Sequence, residues 1–426
     1  MRYREAVAEL DARQSEGMVP DLDRISAVAD LLDHPELRYP TVHVTGTNGK
    51  TSTVRLVTRI LCAHGLTAGR YTSPHLASVT ERLGVCDDDI DGEDFGDTYG
   101  HLLPVLEQVD ARGQRVTYFE ALTALAYLWF ADKPVDVGIF EVGMGGEWDA
   151  TNLIRSDVAV FCSIDLDHPE LGETVERVAR EKAGIIKEGS TVVLQDPNPA
   201  TMEAVERRAV ELGVAVLVLG QDFWIDGPLP AVGGQQFTVR TKQSEYRDLA
   251  LPLYGPHQVL NAATAVAAGE ALLGRALGED PLRQALAGAT SPGRLEVVSR
   301  HPLVVLDGAH NPQAARVLAG GLADAFTWRR LHVVIGVLDR KDLVGIVEPL
   351  ALRAHVAYAC TNSNPHSRPA EEVAAACDRA GLPATAHASV EEALDAAEAA
   401  AGPDDLILVT GSLYTVADAR PRYIPT

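Results

Sequence analysis

From residue 40 onward, short apolar runs alternate with longer stretches whose apolar positions recur at helical spacing, the pattern of parallel strands joined by crossover helices. Residues 41–44 read as the first core strand and 49–64 as the helix after it. A second helix is expected at 119–130, then a buried strand at 135–142 (VDVGIFEV) and another at 158–164. A helix at 174–187 and strands at 191–194 and 214–219 continue the series. The pattern predicts a doubly wound, mostly parallel α/β sheet. Residues 233–253 alternate polar and apolar side chains, which predicts an antiparallel edge or flap, and 257–273 return to helical period.

Ser291-Pro292-Gly293 is a linker signal, and a second strand–helix series begins beyond it. Its strands are expected at 303–306, 331–335, 355–359 and 406–409, with helices at 313–326 and 343–352. Ala/Glu/Asp-rich helices at 370–380 and 390–401 present solvated faces. The expected division is 1–292 and 293–426.

With 426 residues, 46% of them hydrophobic, the chain can bury a core, which excludes a disordered protein and sets a prior of two to three domains. Lys+Arg 37 against Asp+Glu 60 gives a formal net charge of −23, the wrong balance for a nucleic-acid binder. The amino terminus, MRYREAVAEL, is charged where a secretory signal needs an apolar run, so a soluble, cytoplasmic protein is expected, without a membrane partner. The apolar run at 121–131 (ALTALAYLWFA) is far shorter than the roughly 20 residues that span a bilayer and reads as a buried helix. Cys62, Cys86, Cys162, Cys360 and Cys377 are scattered and odd in number, so neither a disulfide framework nor a zinc site is expected.

The run Thr45-Gly46-Thr47-Asn48-Gly49-Lys50-Thr51-Ser52 lies between a predicted strand and a predicted helix. Backbone N–H groups of a Gly-rich turn and a helix N-terminus converge there on an anion, Lys50 reaches terminal phosphates, and Thr51 can face a metal. The loop is a short variant, with Val44 where the strict P-loop pattern has its first glycine.

HVTGTNGKTST, followed by YTSPHL at Tyr71–Leu76, resembles the Mur ligase superfamily and, within it, the folylpolyglutamate synthase and dihydrofolate synthase branch. Further matches follow in order: TYFEALTALAY, EVGMGGEWDATN, DLDH, EKAGIIK, HQVLNAATA, PGRLE, LDGAHNP and GSLY. They span nearly the whole chain. The resemblance implies a P-loop, Mur-ligase-like central domain holding ATP and acceptor, followed by a smaller Rossmann-like domain for glutamate. The implied reaction joins glutamate to a folate or dihydropteroate carboxylate: the carboxylate takes the γ-phosphate of ATP, and the amine attacks the resulting acyl phosphate. A carboxylate at neutral pH is inert toward amines, so this activation is the chemistry required.

The same resemblance assigns roles. Asn48, Gly49, Lys50, Thr51, Asn261, Arg294 and Asp307 would contact ATP. Ser73, Glu141 and His168 would hold magnesium. Lys182 would carry a carbamate that holds a second ion, although an ordinary surface salt bridge with Glu181 fits the residues equally. Catalytic roles fall to Lys50, Lys182 and His310. The acceptor would meet Thr117, Tyr118, Phe119, Glu120, Trp148, Asp149 and Ala150, helped by the segment 18–26, while His310 and Ser412 line the amino-acid side. Phe119 fits plain core packing as well. Glu141 makes independent sense at the carboxyl end of a buried strand, where ligands of open α/β sheets bind. Two features depart from the family: Glu147 stands where arginine is usual, and the stretch after His168 is about one residue short. The alternative these support is a specialised paralogue joining another amino acid to another carboxylate. A monomer is expected.

Overall fold

The computed structural model describes residues 1–14, 20–113, 115–166 and 169–424. The chain forms two compact units, one of Met1–Pro228, Phe237–Ala250 and Leu260–Ala289, the other of Leu229–Gln236, Leu251–Val259 and Thr290–Thr426.

The first unit is built on strands β1 (Thr41–Thr45), β2 (Ala68–Tyr71), β3 (Leu83–Val85), β4 (Asp88–Asp89), β5 (Val137–Glu141), β6 (Val158–Phe161), β7 (Thr191–Leu194) and β8 (Ala215–Val218), in the order β4-β3-β2-β5-β1-β6-β7-β8. The six strands from β2 to β8 in that order run parallel, and β3 and β4 add an antiparallel edge. Every residue of β1 and β5 is buried, as continuous apolar runs demand of strands covered on both faces. Register pairs Val44 with Glu141, so the Gly-rich loop and the glutamate leave the same edge of the sheet.

Its helices are α1 (Tyr3–Asp11), α2 (Asp23–Leu31), α3 (Lys50–Ala63), α4 (Gly92–Asp110), α5 (Tyr118–Asp132), α6 (Val175–Lys182), α7 (Pro199–Leu212), part of α8 (Pro256–Leu273) and α9 (Glu279–Ala287). The apolar run at 121–131 lies inside α5, buried along most of its length. Among the described residues no helix is long and apolar enough to cross a membrane. The expected helix at 174–187 ends instead at Lys182 and tightens into a 3₁₀ turn, Ala183–Ile185. The turn presses on the loop after β5, where a Cβ on Gly184 would lie 2.5 Å from that of Glu147. Strand β2 is invisible in the pattern because AGRY contains glycine and arginine. Gly69 is required there: a Cβ would sit 2.9 Å from the Phe130 ring.

One sequence expectation is overturned. Cys62, near the end of α3, and Cys86, just after β3, form a disulfide with Cα atoms 5.9 Å apart. The pairing of β2 with β3 folds a 24-residue separation back on itself, a proximity that cysteine spacing cannot reveal. Cys162, Cys360 and Cys377 are buried thiols.

Residues 233–253, expected as an antiparallel edge or flap, supply two strands of a three-stranded sheet of β9 (Phe223–Ala231), β10 (Gly234–Thr241) and β11 (Glu245–Leu251), in the order β11-β10-β9. The second unit carries β12 (Glu296–Arg300), β13 (Leu303–Leu306), β14 (Leu331–Ile335), β15 (Val356–Cys360), β16 (Ala384–His387) and β17 (Leu406–Thr410), ordered β12-β13-β17-β14-β15-β16. Edge strands β12 and β16 escape the sequence pattern because both are largely polar and half-exposed. β12 runs antiparallel to β13, and the remaining neighbours are parallel.

Candidate active site

The Gly-rich loop joins β1 to α3 in a conformation that only glycine supports at two positions. Gly46 has φ +151° and faces Cys162, whose Cβ would lie 2.7 Å from an added Cβ; Gly49 has φ +90° and would meet the Asn261 amide oxygen at 2.7 Å. Asn261 is buried on α8 and accepts from Gln195 at 3.2 Å. The backbone N–H groups of Thr47 and Asn48 donate to the Ser163 carbonyl, at 2.7 and 3.4 Å. Anion binding therefore falls to the opening N–H groups of α3, which intrahelical bonding leaves over in any helix.

Two lysines converge on this loop. Lys50 Nζ donates to the carbonyls of Gly46 at 3.0 Å and Thr47 at 3.4 Å, and Lys182 Nζ donates to that same Gly46 carbonyl at 3.0 Å. Lys182 is only 3% exposed, so the surface salt bridge with Glu181 does not describe it. Across from the lysines, buried Glu141 accepts from Thr51 Oγ1 at 2.9 Å and from the Ser73 backbone N–H at 3.2 Å. Thr51, Ser73 and Glu141 make a small set of hard oxygen donors, the chemistry that suits magnesium, which keeps several waters and takes few protein ligands. His168 lies outside the described residues, and no group of three His, Cys, Asp or Glu side chains that could hold a metal occurs among those described.

A second set surrounds the loop after β5. Gly145 accepts from Thr45 Oγ1 at 3.1 Å, and a Cβ on Gly146 would lie 2.8 Å from the Lys182 backbone, so this loop packs flush against both β1 and the end of α6. Asp149 is buried and accepts from the N–H groups of Met144 and Thr151, at 2.9 and 3.0 Å, and from the Thr151 hydroxyl. That hydroxyl in turn accepts from His43 Nε2 at 2.8 Å. Burial pushes the Asp149 carboxyl up from the usual aspartate range, opposed by its hydrogen bonds and by Lys182. Phe119 is half-buried, with its ring against Gly143, where an added Cβ would come within 2.5 Å. Trp148 packs beside Leu171 and Met144 on a core cluster, and Ala150 accepts from Tyr127 at 2.9 Å.

Thr117 and Glu120 form a capping box at the start of α5. The Glu120 carboxylate also accepts from Arg24 of α2, at 2.9 to 3.0 Å, and both residues are buried. Sequence reasoning named the segment 18–26 but gave Arg24 within it no role of its own, and it missed His43 and Arg82, whose guanidinium lies 5.4 Å from the Tyr118 ring centre and donates to His75 Nδ1 at 2.9 Å. A capping box is readable in T-Y-F-E; these partners are not, being tens of residues away in the chain. Of the segment 18–26, Met18 and Val19 lie outside the described residues.

A third set lies in the second unit, at the carboxyl ends of the adjacent strands β13 and β17. Asp307 is buried, accepts from the N–H groups of Leu295 and Ala309 at 2.9 Å each, and is pushed up by burial against the pull of Arg294. Arg294 lies across Gly308, where a Cβ would come within 2.6 Å of Nη1, and His310 Nδ1 is 2.8 Å from the Gly308 carbonyl. Ser412 caps the helix Leu413–Ala419, its hydroxyl accepting from Tyr414 N at 3.1 Å.

Family comparison matches residues 44–269 to the Mur ligase middle domain and residues 293–413 to the Mur ligase glutamate ligase domain. A dihydrofolate synthase/folylpolyglutamate synthase of Mycobacterium tuberculosis is 38% identical, over 97% of this chain and 92% of its own. The Bacillus subtilis protein of the same name is 33% identical over 99% of both. Among solved structures, a Mycobacterium tuberculosis folylpolyglutamate synthase complexed with ADP superposes with a TM-score of 0.95 at 37% identity, covering 100% of this chain and 98% of that one. E. coli FolC in complex with DHPP and ADP superposes at 0.90 and 32%, covering 99% and 97%.

Proposed function

The chain belongs to the Mur ligase family, in its dihydrofolate synthase/folylpolyglutamate synthase branch, and on that premise we propose that it is an ATP-dependent ligase joining glutamate to a folate or dihydropteroate carboxylate. The observation that carries this reading is the pair of lysines on the Gly46 carbonyl, set across the Gly-rich loop from Glu141. Phosphoryl transfer is mostly positioning and charge neutralisation, and these residues supply a cationic cradle beside an oxygen-donor set.

In this reading the opening N–H groups of α3, with Asn48 and Gly49, hold the nucleotide phosphates, and Lys50 swings from the Gly46 carbonyl to the terminal phosphate. Asn261 supports the loop; nucleotide roles for Arg294 and Asp307 belong to the same reading. Thr51, Ser73, Glu141 and His168 would hold magnesium, which supplies charge neutralisation when bound. A carbamate on Lys182 would replace an ammonium by oxygen donors for a second ion. Asp149, fixed by Thr151 and His43, orients the acceptor with Phe119, Tyr118, Trp148 and Ala150, while Thr117 and Glu120 hold the start of α5 beneath it. His310 and Ser412 would orient glutamate.

The test is phosphate release from ATP by the purified protein, with dihydropteroate or a reduced folate and glutamate present together. Turnover is expected only with all three, and none with any pterin acceptor refutes the reading.

A further inference from the structure

The loop that carries Asp149 has a second face. Glu147 and Asn152 line a cavity of about 300 Å³ in the first unit, closed by the end of α6, the turn after it and α7. Arg180 and Lys187 project from the α6 side, and Arg207, Arg208 and Glu211 from α7. Four cations against two carboxylates leave a formal surplus of two positive charges, within a chain of net charge −23.

Arg208 is paired with Glu211 at 3.2 Å, whereas Arg180, Lys187 and Arg207 make no ion pair or side-chain hydrogen bond with any described residue. The Lys187 amine is held below the ordinary lysine range, by burial first and then by Arg208, against a partial pull from Glu147. Cations gathered around a concave space repel one another until an anion sits among them.

Asn152 holds the wall of the cavity in place. Its Nδ2 donates to the carbonyls of Glu147 at 2.9 Å and Gly184 at 3.3 Å, which fixes the amide and leaves Oδ1 a buried acceptor with no partner. The residue is 5% exposed.

The geometry points to a binding site, lined by Arg180, Lys187, Arg207 and Arg208, for a compact dianion. Two ligands share that chemistry: hydrogen phosphate, and glutamyl-glutamate, whose three carboxylates and one ammonium leave two negative charges. The cavity is at the small end of ligand pockets and admits either. It shares no residue with the phosphate-loop set, though Leu22 of the segment 18–26 is part of its lining; the glutamyl-glutamate arm rests on the ligase reading and the phosphate arm does not. It also gives Glu147 a place: the carboxylate that departs from the family faces cations.

Titration calorimetry of the wild type and of an Arg180→Ser/Arg207→Ser variant, with inorganic phosphate and with glutamyl-glutamate in separate arms, tests the site. Both arginines are exposed and unbonded, so the variant should keep its fold, checked by its circular dichroism melt. One probe or both should bind the wild type, with affinity falling about tenfold or more in the variant while ATP affinity stays unchanged. The probe that binds identifies the ligand's source. Equal affinity in the two proteins, or no binding of either probe below about 10 mM, overturns the proposal.

Discussion

Lys50 and Lys182 share one acceptor, each ammonium lying 3.0 Å from the Gly46 carbonyl oxygen. Lys182 comes from the last turn of α6 and is buried, whereas Lys50 opens α3 and is half-exposed, so Lys50 is the one able to leave for a phosphate. Lys50→Ala should lower ATP-dependent turnover by about 10²-fold or more while leaving the melting temperature close to wild type. Wild-type phosphate release from that variant would remove the loop from the mechanism.

Lys182 tests a different chemistry. If its amine takes up carbon dioxide, enzyme stripped of bicarbonate should lose turnover and regain it on adding bicarbonate. Carbon-13 bicarbonate should label the wild type with a carbamate signal that Lys182→Ala lacks. A protein indifferent to bicarbonate, with no such signal, keeps Lys182 as the ammonium that bonds Gly46.

The alternation of strands and helices was legible because the central parallel strands β1, β5, β6, β14 and β17 are buried apolar runs, and the Gly-rich loop because its glycines, lysine and threonine sit at fixed local spacing between a strand and a helix. Glu141 and Asp307 were readable as polar residues ending apolar runs. What escaped was long-range. Arg24 meets Glu120 across 96 residues, and His43 meets Thr151 across 108. Nothing local marks either partner, and the Cys62–Cys86 pair likewise exists only because β3 folds back on β2.

The Arg24–Glu120 pair is buried on both sides, so removing one partner should cost far more than removing both. Arg24→Met strands a buried carboxylate and is expected to lose about 3–5 kcal/mol in urea unfolding. Arg24→Met/Glu120→Leu should recover much of that loss. Additive losses in the two single variants and the double variant would show that the two side chains do not act as a pair.

Reducing the Cys62–Cys86 disulfide releases a constraint across a 24-residue separation, worth about 3 kcal/mol by the loop-entropy estimate. Reductant should therefore lower the denaturant midpoint of the wild type and leave Cys86→Ser unaffected. Equal midpoints for the wild type with and without reductant would show that the bond contributes nothing to stability.

His43 anchors the loop after β5 through a chain of donors, its Nε2–H to the Thr151 hydroxyl and that hydroxyl to Asp149. The ring is fully buried and its Nδ1 has no partner, so protonation finds no acceptor. Burial, then the Lys187 cation, pushes its pKa down to about 3 from the ordinary 6.5. Between those values the unfolded chain binds a proton that the folded chain refuses, so this contribution is whole above about pH 6.5 and drains away as pH falls toward 3. The slope approaches 1.4 kcal/mol per pH unit, about 2 kcal/mol between pH 7 and pH 5. His43→Gln keeps an N–H for Thr151 but cannot titrate. Urea unfolding at both pH values should show the wild type losing about 2 kcal/mol more than the variant on acidification. Parallel losses would mean that His43 is protonated in the folded protein, and that the chain to Asp149 is not what holds it neutral.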